Sequence, residues 1–302
     1  MRWTIAAILT ILVALTVWTS LSAPTKKTQP LKSTATPTPI ATSTQPPSNN
    51  SYPDATTTGV PVSTSLTNYA GPLTITEAGT VIDSKRITGC LVIKANDVII
   101  RKSLIKSDGC FFNVLSDSGN SGLQLVDVEV DGVNNLTGDS AVNGSGLTCL
   151  RCNLHGTVDG MKAGSNVIVQ DSYIHDLAQS ADSHNDGIQS LGTSGLKIVH
   201  NTIAVQEGAT SAVILSTGSA SQMRNVIIDN NLLAGGAFTV SAGYQAGTDS
   251  LSKVSNISVS NNRFSTIIFP RSGAYGPITS ADPPVVVSVN VWHDGPKANQ
   301  PI

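Results

Sequence analysis

The chain has 302 residues, a formal net charge of -2, 13% charged residues and 4% aromatic residues. So little charge excludes a coiled coil, and the lack of a long Lys/Arg cluster excludes a basic nucleic-acid binder. Four cysteines cannot staple a fold of this size, so a core of Val, Ile, Leu and Ala must carry it, which is a sheet-like composition.

In chain order, Arg2 precedes an apolar stretch from Ile5 to Trp18, followed by the small residues Ser20, Ser22 and Ala23. This predicts an export signal over residues 1–23 or, if uncleaved, a membrane anchor. The stretch is short for a span of about 20 residues, yet Pro24 disfavours cleavage after Ala23. No cysteine sits near residue 23, which excludes a lipoprotein anchor. Residues 24–68 read as a linker. Of the 35 residues from Pro24 to Thr58, ten are Thr, seven Pro and four Ser. Such a segment buries too little apolar surface to offset the entropy of ordering, so it should be extended and partly polyproline-like. It would carry a folded domain, 69–302, away from a wall or membrane. The protein is thus expected to be secreted or held at the cell surface, touching a membrane only through its N-terminal segment.

The folded part repeats itself. Units start at Val98, Leu123, Leu147, Val167, Leu196, Val226, Ile257 and Val285, spaced 25, 24, 20, 29, 30, 31 and 28 residues apart. Apolar positions alternate within each unit and no helical period of 3.6 appears, so each unit is a short strand–turn–strand. The sixth unit position holds Asn201, Asn231, Asn262 and Asn290 in the last four units. Stacked asparagines would form a side-chain ladder along a solenoid, with each rung about 4.8 Å from the next.

The apolar-x-apolar-x-x-Asn-x-apolar unit resembles the right-handed parallel β-helix proteins of the pectate-lyase-like superfamily, over roughly Gly71 to Gly295. The resemblance implies an all-β, single-stranded right-handed parallel β-helix of about 8–10 coils. It also implies a polysaccharide partner along the outer face. Members include lyases, polygalacturonases, uronan epimerases, tailspikes and adhesins, among which fold alone does not choose. In such a fold Cys90 and Cys110 stand in the same local register one coil apart, which predicts a disulfide. Cys149 and Cys152 fall on core-facing positions and are expected to be buried in the core.

Between Asp108 and Asp186 lie eleven acidic residues and only two basic ones, Arg151 and Lys162. Within this run two ladders appear. The ninth unit position holds Asp131, His155 and His175, and the seventh holds Glu129, Asn153 and Tyr173. Val130, Leu154 and Ile174 between them should point inward, so all six neighbours should point out. The second ladder opens the following strand, where Asp139-Ser-Ala, Asp159-Gly-Met and Asp186-Gly-Ile are aligned and Asp108-Gly-Cys precedes them. Three stacked carboxylates repel one another unless a cation binds, one stays protonated, or they splay into solvent. A longer loop beside them carries His184 and leads into Gln189. Asp before Gly is also a common turn pair, so a purely structural ladder is the alternative.

Several chemistries suit this groove. Paired carboxylates with a histidine suit glycoside hydrolysis. Asp139, Asp159 and Asp186 could instead hold Ca2+, which would neutralise a uronate and acidify the proton beside its carboxylate. Lys162 is the only lysine available as the base in such a β-elimination; His155, His175 or Arg151 could substitute, and Asp186 fits either role. Glu129, Asp131, Asn153, Tyr173, His184 and Gln189 would bind substrate. The Asn-x-Asp, Asp-Asp, Gly-His-Gly and Arg-Ile-Lys set of polygalacturonases is missing, which disfavours a hydrolase. The reading is therefore an exported protein that cleaves or modifies an acidic glycan, lyase before hydrolase or epimerase. The alternative is a non-catalytic adhesin or glycan-binding module on a stalk.

Overall fold

The computed structural model describes residues 51–218 and 221–302. The signal or anchor expected over 1–23, and the linker as far as residue 50, lie outside the described residues. Among the described residues no helix is long and apolar enough to cross a membrane.

The chain is a parallel β-helix, as the repeat implied. Successive coils add strands to three sheets of ten, nine and nine strands, here called A, B and C, and each strand pairs in parallel with its counterpart one coil away. Sheet A runs from Thr67–Asn68 to Val291–Trp292, sheet B from Thr74–Ile75 to Gly276–Ala281, and sheet C from Val81–Asp83 to Val285–Ser288. Alternating apolar residues point inward and stack in columns. Val130, Leu154 and Ile174 form one column, and Val142, Met161, Ile188 and Val213 another, all of them fully buried.

The corner from sheet C to sheet A is a single residue in the left-handed region, coil after coil. Lys102, Asp127, Arg151, Asp171, His200, Asn230, Asn261 and Val289 have φ between 47° and 56°. One such residue turns the chain sharply, and Asn and Asp tolerate it best, which explains their frequency there. The next residue turns inward. There Asn201, Asn231, Asn262 and Asn290 form the expected ladder, with Nδ2 of each of the first three donating to Oδ1 of the next at 3.0, 2.9 and 3.0 Å. Each Oδ1 also accepts a backbone N–H from the preceding coil, Ser172 included, and each Nδ2 reaches a strand carbonyl. The buried amides are thereby satisfied.

Cys90 and Cys110 are bonded, with Cα atoms 5.4 Å apart. Cys149 and Cys152 are fully buried, as expected, and are also bonded to each other, a pairing the sequence reading did not include. The left-handed Arg151 between them folds the corner back, so two core-facing sulfurs three residues apart meet. At the C-terminal end, the tail folds back on sheet A through an antiparallel bridge from Val291 to Pro301, and the Trp292 N–H donates to Gln300 O.

The linker expected as far as residue 68 must be shortened. From Ser51 the chain lies as a strap against the outer face of sheet A. Pro53, Thr58 and Gly59 are buried, the Gly59 N–H donates to Arg151 O at 2.8 Å, and the Tyr52 hydroxyl donates to Asn230 Oδ1 at 3.2 Å. A Cβ on Gly59 would stand 3.0 Å from that of Asn153 and 3.4 Å from that of Glu129, so only glycine fits this approach at φ 72°.

Candidate functional site

The first ladder has the expected register. Glu129, Asn153 and Tyr173 are paired across three coils of sheet A, and Asp131 stands opposite His155. Their chemistry is turned on itself. Lys106 pairs with Asp131 at 2.6 Å, and His155 Nε2 lies 3.4 Å from Glu129 Oε1. His175 meets Asn153 Oδ1 at 2.8 Å through Nε2 and Asp176 Oδ2 at 2.7 Å through Nδ1. The His175 ring stacks on Tyr173 at 3.9 Å and on His155 at 5.2 Å. Burial lowers the His175 pKa from its usual 6.5, against the raising effect of its Asp176 hydrogen bond. Burial also pushes up the Asp131 carboxyl, but Lys106, the Val133 N–H and His155 outweigh it and hold it low. Asn153 and Glu129, expected to face a ligand, lie beneath the Gly59 strap, and Asn153 is only 8% exposed. The Thr/Pro-rich composition does not distinguish the strap from the linker before it; Tyr52, Asp54 and Gly59 were the available signals.

The second ladder is displaced by one residue at Asp139. Ser140, not Asp139, pairs with Asp159, which stands level with Asp186 and then Ser211. The core decides the register: Val142 rather than Ala141 fills the Met161–Ile188 column, and a one-residue slip would reverse every side chain. The column of three carboxylates expected to hold Ca2+ is therefore not assembled. Among the described residues no three His, Cys, Asp or Glu side chains converge closely enough to hold a metal ion. Lys162 brings the acids together instead. Its ammonium contacts the Asp139 carboxylate at 2.6 Å and approaches Asp159 Oδ2 at 3.7 Å.

Lys162 and Gln189 are adjacent on the outer face of sheet B, on successive coils. Gln189 Nε2 donates to Asp186 Oδ2 at 2.9 Å. Asp159 Oδ1 accepts the Asp186 N–H at 2.8 Å, while Asp186 Oδ1 is buried without a hydrogen-bond partner. Both residues are 1% exposed. Burial, then the neighbouring Asp186 charge, raises the Asp159 pKa to about 7, against the Asp186 N–H and Lys162. Burial raises Asp186 to about 6, against Gln189, Lys162 and His184. Burial and the adjacent charges thus favour a proton on this pair close to neutral pH, beside a lysine.

The loop 178–185 adjoins this corner, where the Ala178 N–H donates to Thr157 O. Asn185, missed in the sequence, anchors it; its fully buried Nδ2 donates to Val158 O and Ala178 O, both at 2.6 Å, and its Oδ1 accepts from Ser183. His184 is exposed on the same loop. Among the described residues no hydrogen bond or ion pair joins the histidine column of sheet A to the Asp/Lys corner of sheet B. The single groove expected from the sequence is two clusters on either side of a turn.

No family model and no curated protein matches the chain. Among solved structures it is similar to the periplasmic alginate epimerase AlgG, with 12% identity and a TM-score of 0.52, over 70% of this chain and 49% of that one. The chain thus spans about half the length of that structure, and the likeness is one of fold.

Proposed function

We propose that this chain is an exported, polysaccharide-modifying β-helix protein that moves a proton on an acidic glycan at the Asp159–Asp186–Lys162 corner. The observation that carries the reading is a pair of buried carboxyls on successive coils, raised to about 7 and about 6, beside a lysine on the outer sheet face. Such a pair holds one proton between them near neutrality, which supplies an acid and a base together. Asp186, the more acidic, takes the proton from the carbon beside a uronate carboxylate. The Lys162 ammonium steadies the charge that develops on that carboxylate, and Gln189 orients Asp186. Asp159, which holds the pair's proton, then delivers it either to the opposite face of that carbon, which is epimerisation, or to the departing glycosidic oxygen, which is β-elimination. Asp159 and Asp186 are buried, so the corner must open to admit the chain. Support for export comes from the N-terminal apolar stretch and the two disulfides.

The test is incubation with a panel of polyuronates in heavy water. Deuterium should enter the carbon beside the carboxylate, and Lys162→Met should stop it. Absorbance from unsaturated ends marks elimination, and inverted sugars without it mark epimerisation. No exchange with any uronan from pH about 5 to about 8 would refute the proposal and leave a binding module.

A further inference from the structure

Lys162 has two carboxylates within reach and does not treat them alike. Asp139 Oδ1 lies 2.6 Å from the ammonium and Oδ2 2.7 Å. Asp159 Oδ2 lies 3.7 Å away, although Asp159 is on the same strand as the lysine. The nearer partner is also the more open one: the Asp139 side chain is 15% exposed and that of Asp159 2%. Moving the ammonium onto Asp159 would strip it of water, a cost that the stronger attraction there has to repay.

The Asp139 carboxylate is placed by the turn that precedes it. Asn135 is buried in that turn; its Nδ2 donates to Cys110 O at 2.9 Å, and its Oδ1 accepts from the Thr137 N–H and hydroxyl. Gly138 packs so closely on Cys110 O and the Asn135 amide that a Cβ would collide with both. The Asp139 N–H then donates to Phe111 O, and its carbonyl accepts the Asp159 N–H, both at 2.7 Å. The Asp139 backbone is thus pinned between the coils before and after it, and only χ1 and χ2 remain to move the carboxylate.

The consequence is one of charge. The groups that face the buried Asp159–Asp186 pair are Lys162 from the Asp159 strand, Asp139 from the coil before and His184 from the neighbouring loop; the coil after offers the Ser211 N–H. A lysine that neutralises Asp139 leaves the pair without a close counterion, which favours a proton on it. A lysine turned onto Asp159 would instead favour the ionised pair.

The geometry points to Asp139 as a positioning residue: it holds the Lys162 ammonium off Asp159 and at the open side of the corner, where a substrate carboxylate would arrive. Asp139 itself touches no reacting atom. The inference rests on the proton-transfer reading for its meaning, but its test needs no substrate.

The test is carboxyl-carbon NMR of the full chain with isotope-labelled aspartate, titrated from pH about 4 to about 9. The parent, Asp139→Asn, Lys162→Met and the double variant form a cycle. In the parent background Asp139→Asn should lower the apparent midpoint of the pair by about one pH unit or more, as Lys162 turns to Asp159. In the Lys162→Met background the same substitution should move it by only a few tenths, the direct repulsion of one carboxylate by another. Asp139→Glu, which returns an anion to the ammonium, should bring the midpoint back towards that of the parent. If Asp139→Asn lowers melting, Asp139→Ser carries the cycle. An unchanged midpoint in the folded variant, or an equal shift in both lysine backgrounds, would overturn the proposal. Deuterium exchange into a uronan, where the parent shows it, should move to lower pH together with the midpoint. Its absence from the parent would count against the proton-transfer reading, while the titration still decides whether Asp139 governs Lys162.

Discussion

Replacing Asp159 by Asn should make the protein more stable while abolishing its proton chemistry. Burial and the neighbouring Asp186 charge lift the carboxyl from 3.8 to about 7 in the folded chain. Between those values the native state holds a proton that the unfolded state has lost. A raised carboxyl pKa therefore costs stability as pH rises through this window, and the full cost is reached above about 7. Roughly 3 units at about 1.36 kcal/mol each is an upper bound of about 4 kcal/mol. The substitution keeps an oxygen for the Asp186 N–H but turns an amide toward the Lys162 ammonium, 3.7 Å from the present oxygen. Allowing for that lost attraction, a gain of about 2 kcal/mol is expected at pH about 8, shrinking towards zero or below at pH about 4. Urea denaturation of both proteins at the two pH values measures it. Equal destabilisation at both pH values would refute the reasoning, because Asp159 would then be an ordinary ionised acceptor for the next coil's N–H.

The other expectations concern the frame. Asn231→Leu removes a rung that pairs on both sides and orphans several buried groups, so a loss of about 3 kcal/mol in chemical denaturation is expected; a loss below about 1 kcal/mol would show that the ladder is dispensable. Gly59→Ala, at φ 72° and against Asn153, should cost about 1–2 kcal/mol and increase proteolysis within residues 51–66; an unchanged digestion pattern would contradict the strap. Reduction should break Cys90–Cys110, which closes 20 residues, and lower stability by about 3 kcal/mol. Melting that is unaffected once the thiols are shown to be free would argue against that contribution.

The repeat was legible because one residue at each C-to-A corner is left-handed and the next points inward, so Asn201, Asn231, Asn262 and Asn290 recur in fixed register. The same rigidity made the Glu129, Asn153 and Tyr173 alignment right. Asp139 was misplaced because the turn before it, residues 132–139, is longer than residues 156–158 before Asp159, and Asp-x-x matching ignored which residue fills the core. The strap was illegible because its contacts are non-local: Gly59 is specified by Asn153 and Glu129, far away in sequence. The Cys149–Cys152 bond was missed because a three-residue spacing along a straight strand keeps sulfurs apart, and only the corner at Arg151 brings them together.

The two corners that flank sheet A differ in what they permit over evolutionary time. The C-to-A corner turns on one left-handed residue in coil after coil and is locked by buried amides in the last four, so an insertion there would unthread the stack. The A-to-B connection spans 132–139, 156–158, 175–185, 205–210, 235–237 and 265–275 in successive coils, with no loss of pairing in the strands on either side. Lengthening this connection leaves the frame intact and changes only what flanks the edge of sheet B where Asp159 and Asp186 stand. A lineage with this scaffold could therefore vary its specificity through indels along a single edge, while the opposite edge keeps every coil in phase.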